Sequence, residues 1–204
     1  MVRDFHLADF FTLGNAACGV AAIFVAMLAL ASGIAGPDPR LLLIAAAFAP
    51  AAFIFDVLDG RIARWRQQHS ALGRELDSLA DVISFGVAPA TLAFAAGMQG
   101  GWDAVVLAYF VCCGVSRLAR FNVTAEALAG EDAGGKVKYF EGTPIPTSVL
   151  LTGLLAIAAW QGRVGDQLWG GSWSLLGWQL HPMVLLFALS GSLMISKTIR
   201  IPKF

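Results

Sequence analysis

Six long apolar runs leave this chain little choice of fold. They cover roughly residues 11–33, 41–60, 75–98, 102–122, 145–162 and 180–197. A helix crossing a bilayer needs about 20 mostly apolar residues, because every backbone polar group must be satisfied inside the segment. Each run is of that order. Charged residues make up 14% of the chain and mean hydropathy is +0.70, whereas soluble domains carry about 25% charged residues. The expectation is an all-α integral membrane protein: a bundle of six transmembrane helices with a short N-terminal interfacial segment, forming one membrane domain over residues 1–204. The first run is long and is preceded by acidic as well as basic residues, so it reads as a helix rather than a cleaved signal. The stretch 166–179 carries Trp169, Trp173 and Trp178 among glycines. It is too short to span and reads as an interfacial hairpin or re-entrant piece, since tryptophan favours the headgroup level.

The basic residues set a topology. An even number of spans puts both termini on one side. That side holds twelve of the Lys and Arg residues, and the other holds only Arg40 and Arg163. The positive-inside rule then places the termini, and the Arg61–Arg74 loop, in the cytoplasm of a cell whose inner membrane carries the protein. Formal net charge is zero, so bulk charge gives no case for a nucleic-acid partner. Cys18, Cys112 and Cys113 lie in apolar runs without a CxxC pair and read as small packing residues.

Against this background four aspartates stand out. Asp56 and Asp59 close the second run, and Asp77 and Asp81 open the third. Residues three or four apart share a helix face. Asp56 and Asp59 therefore point one way, as do Gly73, Asp77 and Asp81. If the two helices are antiparallel neighbours, four carboxylates converge at the membrane edge. One aspartate at a bilayer centre costs about 2.5–3.5 kcal/mol on insertion scales, and like charges add repulsion. All-oxygen anionic ligation suits hard divalent cations such as Mg²⁺ or Mn²⁺, and four carboxylates can hold two of them. The lack of His or Cys in the cluster argues against zinc. Gly60 and Gly73 let a bulky ligand approach the backbone, and Arg64 is placed to meet a phosphate. Any one of these residues has an ordinary explanation, in solvation or helix packing. All eight positions in one register do not.

That register, Asp-x2-Asp-Gly-x2-Ala-Arg-x8-Gly-x3-Asp-x3-Asp, resembles the signature of the CDP-alcohol phosphotransferases, and Asp56, Asp59, Gly60, Ala63, Arg64, Gly73, Asp77 and Asp81 fill every fixed position. Further segments are similar to the phosphatidylserine synthase branch of that family: Thr12-Leu13-Gly14-Asn15, Ser116-Arg117-Leu118-Ala119-Arg120-Phe121-Asn122, Lys138 to Thr147, and Leu193 to Lys197. The Pro-Asn that often precedes the first of these is Ala8-Asp9 here. The resemblance implies a six-helix enzyme with two divalent cations, Mg²⁺ or Mn²⁺, held by Asp56, Asp59, Asp77 and Asp81. It implies that Asp81 is the general base and that Asp56, Gly60, Arg64, Ser70 and Gly73 surround the CDP moiety. The implied substrates are CDP-diacylglycerol, presented from membrane lipid, and L-serine, and the products are phosphatidylserine and CMP. A homodimer is the family's tendency.

Several roles stay open on the residues alone. Arg117 and Arg120, three apart near a helix end, either bind the carboxylate of the serine or snorkel to lipid phosphates. Asn15 either hydrogen-bonds near the metal site or joins two helices. His69 reads as a solvated loop residue, and His6 and His181 carry less weight as site candidates. Two other functions remain to be weighed. One is the same transfer to glycerol 3-phosphate or inositol phosphate, which would demand more basic residues in the pocket. The other is a cation transporter, whose site would lie near the midplane rather than at one edge.

Overall fold

The computed structural model describes residues 7–32, 36–66, 71–130, 139–196 and 200–202. The first apolar run forms α1, Leu7–Ser32, and the second forms α2, Pro39–Arg66. The start of α2 is written locally. Asp38 accepts a hydrogen bond from the Arg40 backbone N–H at 2.8 Å, and Pro39 occupies the first helical position, where a missing N–H costs nothing. Pro50 lies inside α2 without interrupting it.

The third run is one helical rod in three parts. It comprises α3, Ala71–Asp81, a six-residue π-helical segment, Val82–Val87, and α4, Ala88–Ala96. Gly97 ends it with φ +132°, and a Cβ there would lie 2.8 Å from the Gly165 backbone. Helix α5, Gly101–Gly130, follows, and then α6, Ser148–Trp160, and α7, Val184–Ile195. Among the described residues there are also two small strand pairs. Strand β1, Tyr139–Glu141, pairs antiparallel with β4, Arg200–Pro202, and strands β2, Trp173–Leu175, and β3, Trp178–Leu180, form a hairpin. Of the two readings of the stretch 166–179, a hairpin or a re-entrant piece, its second half and Leu180 form a hairpin, and Trp102 packs on Trp178 with ring centroids 5.5 Å apart.

Among the described residues, four helices are long and apolar enough to cross a membrane: Ala8–Ser32, Pro39–Ile62, Leu72–Ala96 and Gly101–Val123. The last two runs give shorter apolar helices, Ile145–Trp160 and Val184–Ile195. The sixth run loses length because its first residues join β3 and the turn at His181. The expected N-terminal interfacial segment falls largely outside the described residues.

Packing explains the order of the bundle. The rod Leu72–Ala96 is the most enclosed of the long helices, while α1, α2 and α5 leave most of their apolar surface outward. Phe24, Met27, Ile44, Ile54, Leu150 and Leu189 are exposed in this way, as lipid-facing residues are. Inside, alanines dominate: Ala26, Ala29, Ala45, Ala52, Ala93 and Ala158 are fully buried or nearly so. Small side chains let helix axes approach where lipid gives no hydrophobic drive between helices. Gly19 marks one such close approach: a Cβ on it would lie 2.8 Å from the Ser84 Cα. Phe110 and Phe187 meet edge to face at 5.3 Å and join α5 to α7.

At the end of the bundle where α5 begins, Asp103 is fully buried and fully used. It accepts hydrogen bonds from the Gly100 N–H at 2.9 Å and the His181 N–H at 2.8 Å, and its Oδ2 lies 2.6 Å from His181 Nδ1. His181, which carried little weight in the sequence, is therefore a structural anchor that ties the hairpin to the α4–α5 turn.

Candidate functional site

The aspartates occupy the opposite end of the bundle from Asp103. Asp56 and Asp59 come from the last turns of α2, and Asp77 and Asp81 from α3. Carboxylate oxygens of Asp56, Asp59 and Asp77 all lie within 4.8 Å of one another. Asp81 stands beside this triad, within electrostatic reach of all three, but is not part of it. Of the four carboxylates expected to converge, three gather in one cluster and the fourth flanks it.

The way they converge differs from the expectation. Among the described residues α2 and α3 pack only slightly on each other, while α1 lies against both. Its side chains reach into the gap. Thr12 Oγ1 donates to Asp59 Oδ2 at 2.8 Å, and Asn15 Nδ2 donates to Asp81 Oδ1 at 3.2 Å. Asn15 is completely buried, and its own carbonyl accepts a hydrogen bond from Ser84 Oγ of the π-helical segment at 2.8 Å. Asn15 thus joins α1 to α3, and it does so through the Asp81 carboxylate.

A second polar set braces α3 from the other side. Asn122 of α5 donates from Nδ2 to Ser78 Oγ at 3.0 Å and to Glu75 Oε1 at 3.2 Å. Ser78 and Glu75 flank Asp77 in sequence, so α3 is held between α1 and α5. Thr12 and Asn122 stood inside family-like segments but carried no assigned role. The available signal was spacing: polar residues one turn apart in a helix otherwise apolar share a face and need partners.

The donor set fits a divalent cation. Like charges this close repel by on the order of 3–4 kcal/mol per pair at an effective dielectric of ~20. Among the described residues, no Lys or Arg forms an ion pair with any of the four. Asp77 Oδ1 is buried and has no hydrogen-bond partner, the condition of an oxygen kept for a metal. Hard cations take such ligands, and three carboxylates from two helices can grip one.

The two arginines of α5 part company. Arg120 Nη2 donates to the carbonyl of Ile195 at 3.3 Å, which links α5 to the end of α7. Arg117 is half-buried, its Nε has no hydrogen-bond partner, and it lies within electrostatic reach of Asp81. Gly60 and Gly73 are half-buried on the helices that carry the aspartates. The backbone of Arg64 belongs to α2, its side chain lies outside the described residues, and Ser70 lies outside them altogether.

Residues 5–191 match the CDP-alcohol phosphatidyltransferase family. A Saccharomyces cerevisiae protein named CDP-diacylglycerol–serine O-phosphatidyltransferase is 42% identical over 206 residues, which covers the whole of this chain and 72% of the yeast protein. A Mycobacterium leprae protein of the same name is 38% identical over 148 residues, 71% of this chain and 47% of that protein. An archaetidylserine synthase of Methanothermobacter thermautotrophicus is 43% identical over 102 residues, 48% of this chain and 40% of that protein. The chain thus spans under half the length of these last two relatives.

Proposed function

The chain belongs to the CDP-alcohol phosphatidyltransferase family, and from that premise we propose that it transfers the phosphatidyl group of CDP-diacylglycerol to L-serine, giving phosphatidylserine and CMP. The observation that carries this reading is the triad Asp56, Asp59 and Asp77, drawn from two helices to within 4.8 Å in the family's register. The yeast relative, similar over the full chain, supports serine as the acceptor.

Asp56, Asp59 and Asp77 would hold one divalent cation, Mg²⁺ or Mn²⁺, and Asp81 would contribute to holding a second. When bound, such ions neutralise the diphosphate and the charge that builds on the leaving phosphate. Asp56, Gly60, Arg64, Ser70 and Gly73 receive the CDP moiety. The two glycines present bare backbone, and the arginine brings a fork of donors for phosphate oxygens.

The serine side of the reaction falls to Asp81 and Arg117. Asn15 engages Oδ1 of Asp81, which leaves Oδ2 to accept the proton of the serine hydroxyl. The hydroxyl oxygen attacks the phosphorus bearing the diacylglycerol. A P–O bond forms, the bond from that phosphorus to the bridging oxygen breaks, and CMP departs with the electron pair. The carboxylate of serine lies a few bonds from its hydroxyl, so the site needs a cation close to its base. Arg117, near Asp81 with an unused donor, supplies it. Arg120 helps by bracing α5 against α7.

The active site faces the cytoplasm from a six-span bundle in the inner membrane, a reading supported by the twelve-to-two distribution of basic residues. Helices α6 and α7 are the two short crossings, and the protein works as a homodimer.

The test is CMP formation by the purified protein in detergent with CDP-diacylglycerol and Mn²⁺. Release that requires L-serine, and is not supported by glycerol 3-phosphate or inositol phosphate, is the expected result. Equal release with any of the three acceptors would refute the choice of serine, and no metal-dependent release would refute the transfer itself.

A further inference from the structure

Helix α1 sets the relative placement of the site carboxylates, because α2 and α3 make little direct contact and each packs on α1. Two α1 side chains one turn apart carry this out, Thr12 on Asp59 and Asn15 on Asp81. Thr12 is 3% exposed and Asp59 5%, so water does not compete for the bond between them. A threonine hydroxyl has a single proton to give. The Thr12 hydroxyl has two acceptors in range, the Ala8 carbonyl at 3.3 Å and the Asp59 carboxylate at 2.8 Å. The shorter bond to the ionised group is the stronger, and it fixes the rotation of that carboxylate. Hydrogen-bond partners of metal-ligating side chains orient the ligand and are felt in metal affinity.

We propose that Thr12 is a positioning residue for the divalent cation held by Asp56, Asp59 and Asp77, acting through its hydrogen bond to Asp59. The proposal rests on the metal-site reading above. It assigns Thr12 a task in ion binding rather than in helix packing alone.

The experiment is a titration of purified, detergent-solubilised protein with Mn²⁺, following the free ion by electron paramagnetic resonance without substrate. Parent protein, Thr12→Val, Thr12→Ala, Thr12→Ser and Asp59→Asn are compared after each elutes as a single species. Thr12→Val and Thr12→Ala are expected to weaken Mn²⁺ binding by about 10-fold, and Thr12→Ser to remain within about 2-fold of the parent. A packing role alone would not make the hydroxyl the deciding group. If Thr12→Val fails to fold, Thr12→Ala removes the hydroxyl without adding bulk and is read in its place. Parent-like Mn²⁺ binding by Thr12→Val or Thr12→Ala, or a Thr12→Ser variant as weak as Thr12→Val, overturns the proposal. If instead Asp59→Asn binds Mn²⁺ as tightly as the parent, the metal-site reading itself falls.

Discussion

Asn15 and Asp81 meet across 3.2 Å, the amide Nδ2 of one donating to Oδ1 of the other, and both side chains are buried. The bond crosses from α1 to α3 and engages one oxygen of the carboxylate that stands beside the triad rather than within it. This separation of Asp81 from the other three makes its loss distinguishable from theirs. Asp81→Asn is expected to lower kcat for CMP formation at least ~100-fold, the range of a lost general base, while the triad still takes up one Mn²⁺ per chain. Asp77→Asn is expected to lose both. Parallel activity and Mn²⁺ titrations measure the difference.

The two α5 arginines predict a second split. Arg117→Ala removes the donor near Asp81 and is expected to raise the KM for serine by about 10-fold or more, as expected for a lost charge-assisted hydrogen bond. The KM for CDP-diacylglycerol should change little. Arg120→Ala breaks the contact with the Ile195 carbonyl and is expected to lower thermal stability and both specificity constants together. Steady-state kinetics with each substrate varied in turn distinguish the two patterns.

Gly19 tests the close approach of α1 to the π-helical segment. A Cβ added there meets Ser84 Oγ at 2.6 Å and Ser84 Cα at 2.8 Å, and backbone cannot yield as a side-chain tip can. Gly19→Ala is therefore expected to push the two elements apart and to loosen Asn15, whose carbonyl bonds Ser84. The expected outcome is a protein destabilised by about 1–3 kcal/mol, as overpacked sites are, with reduced activity per folded molecule. Thermal unfolding in detergent and CMP formation read the two effects.

Asp103 predicts the opposite combination. Asp103→Ala leaves the Gly100 and His181 donors buried without an acceptor, at a cost of about 1–3 kcal/mol for each group left unsatisfied. Asp103 lies about 21 Å along α5 from Arg117. The expected result is a marked loss of thermal stability with kcat and both KM values near those of the parent at temperatures where the variant is folded.

Much of the site was legible because its chemistry is periodic. Asp56 and Asp59, and Asp77 and Asp81, are spaced three or four apart, and helix geometry alone puts each pair on one face. That the two pairs would gather into an acidic cluster followed from their placement at the ends of successive runs. The hairpin at Trp173–Leu180 was legible from glycines and tryptophans. The partners of the carboxylates were legible only in part: one of two readings put Asn15 near the cluster, but not on Asp81 in particular, and Thr12 had no reading at all. Thr12 and Asp59 are 47 residues apart, and Asn15 and Asp81 are 66 apart, so no local pattern couples them. The π-helical segment after Asp81 was equally hidden, since its register is set by packing on α1. Arg117 and Arg120 looked equivalent because both sit on one face of one helix. What separates their contacts is the position of the last turn of α7.

Hydrophobic run length by itself pointed to helices long and apolar enough to cross a membrane, because a helix satisfies its backbone hydrogen bonds within one segment. Spacing by itself settled which carboxylates share a helix face. Only the tertiary structure decided that α1 lies between those faces, that three carboxylates cluster while Asp81 stands beside them, and that His181 anchors the far end. Those outcomes depend on which small residues let which helices touch, and contact between distant segments is a property of the packed bundle rather than of any one stretch of sequence.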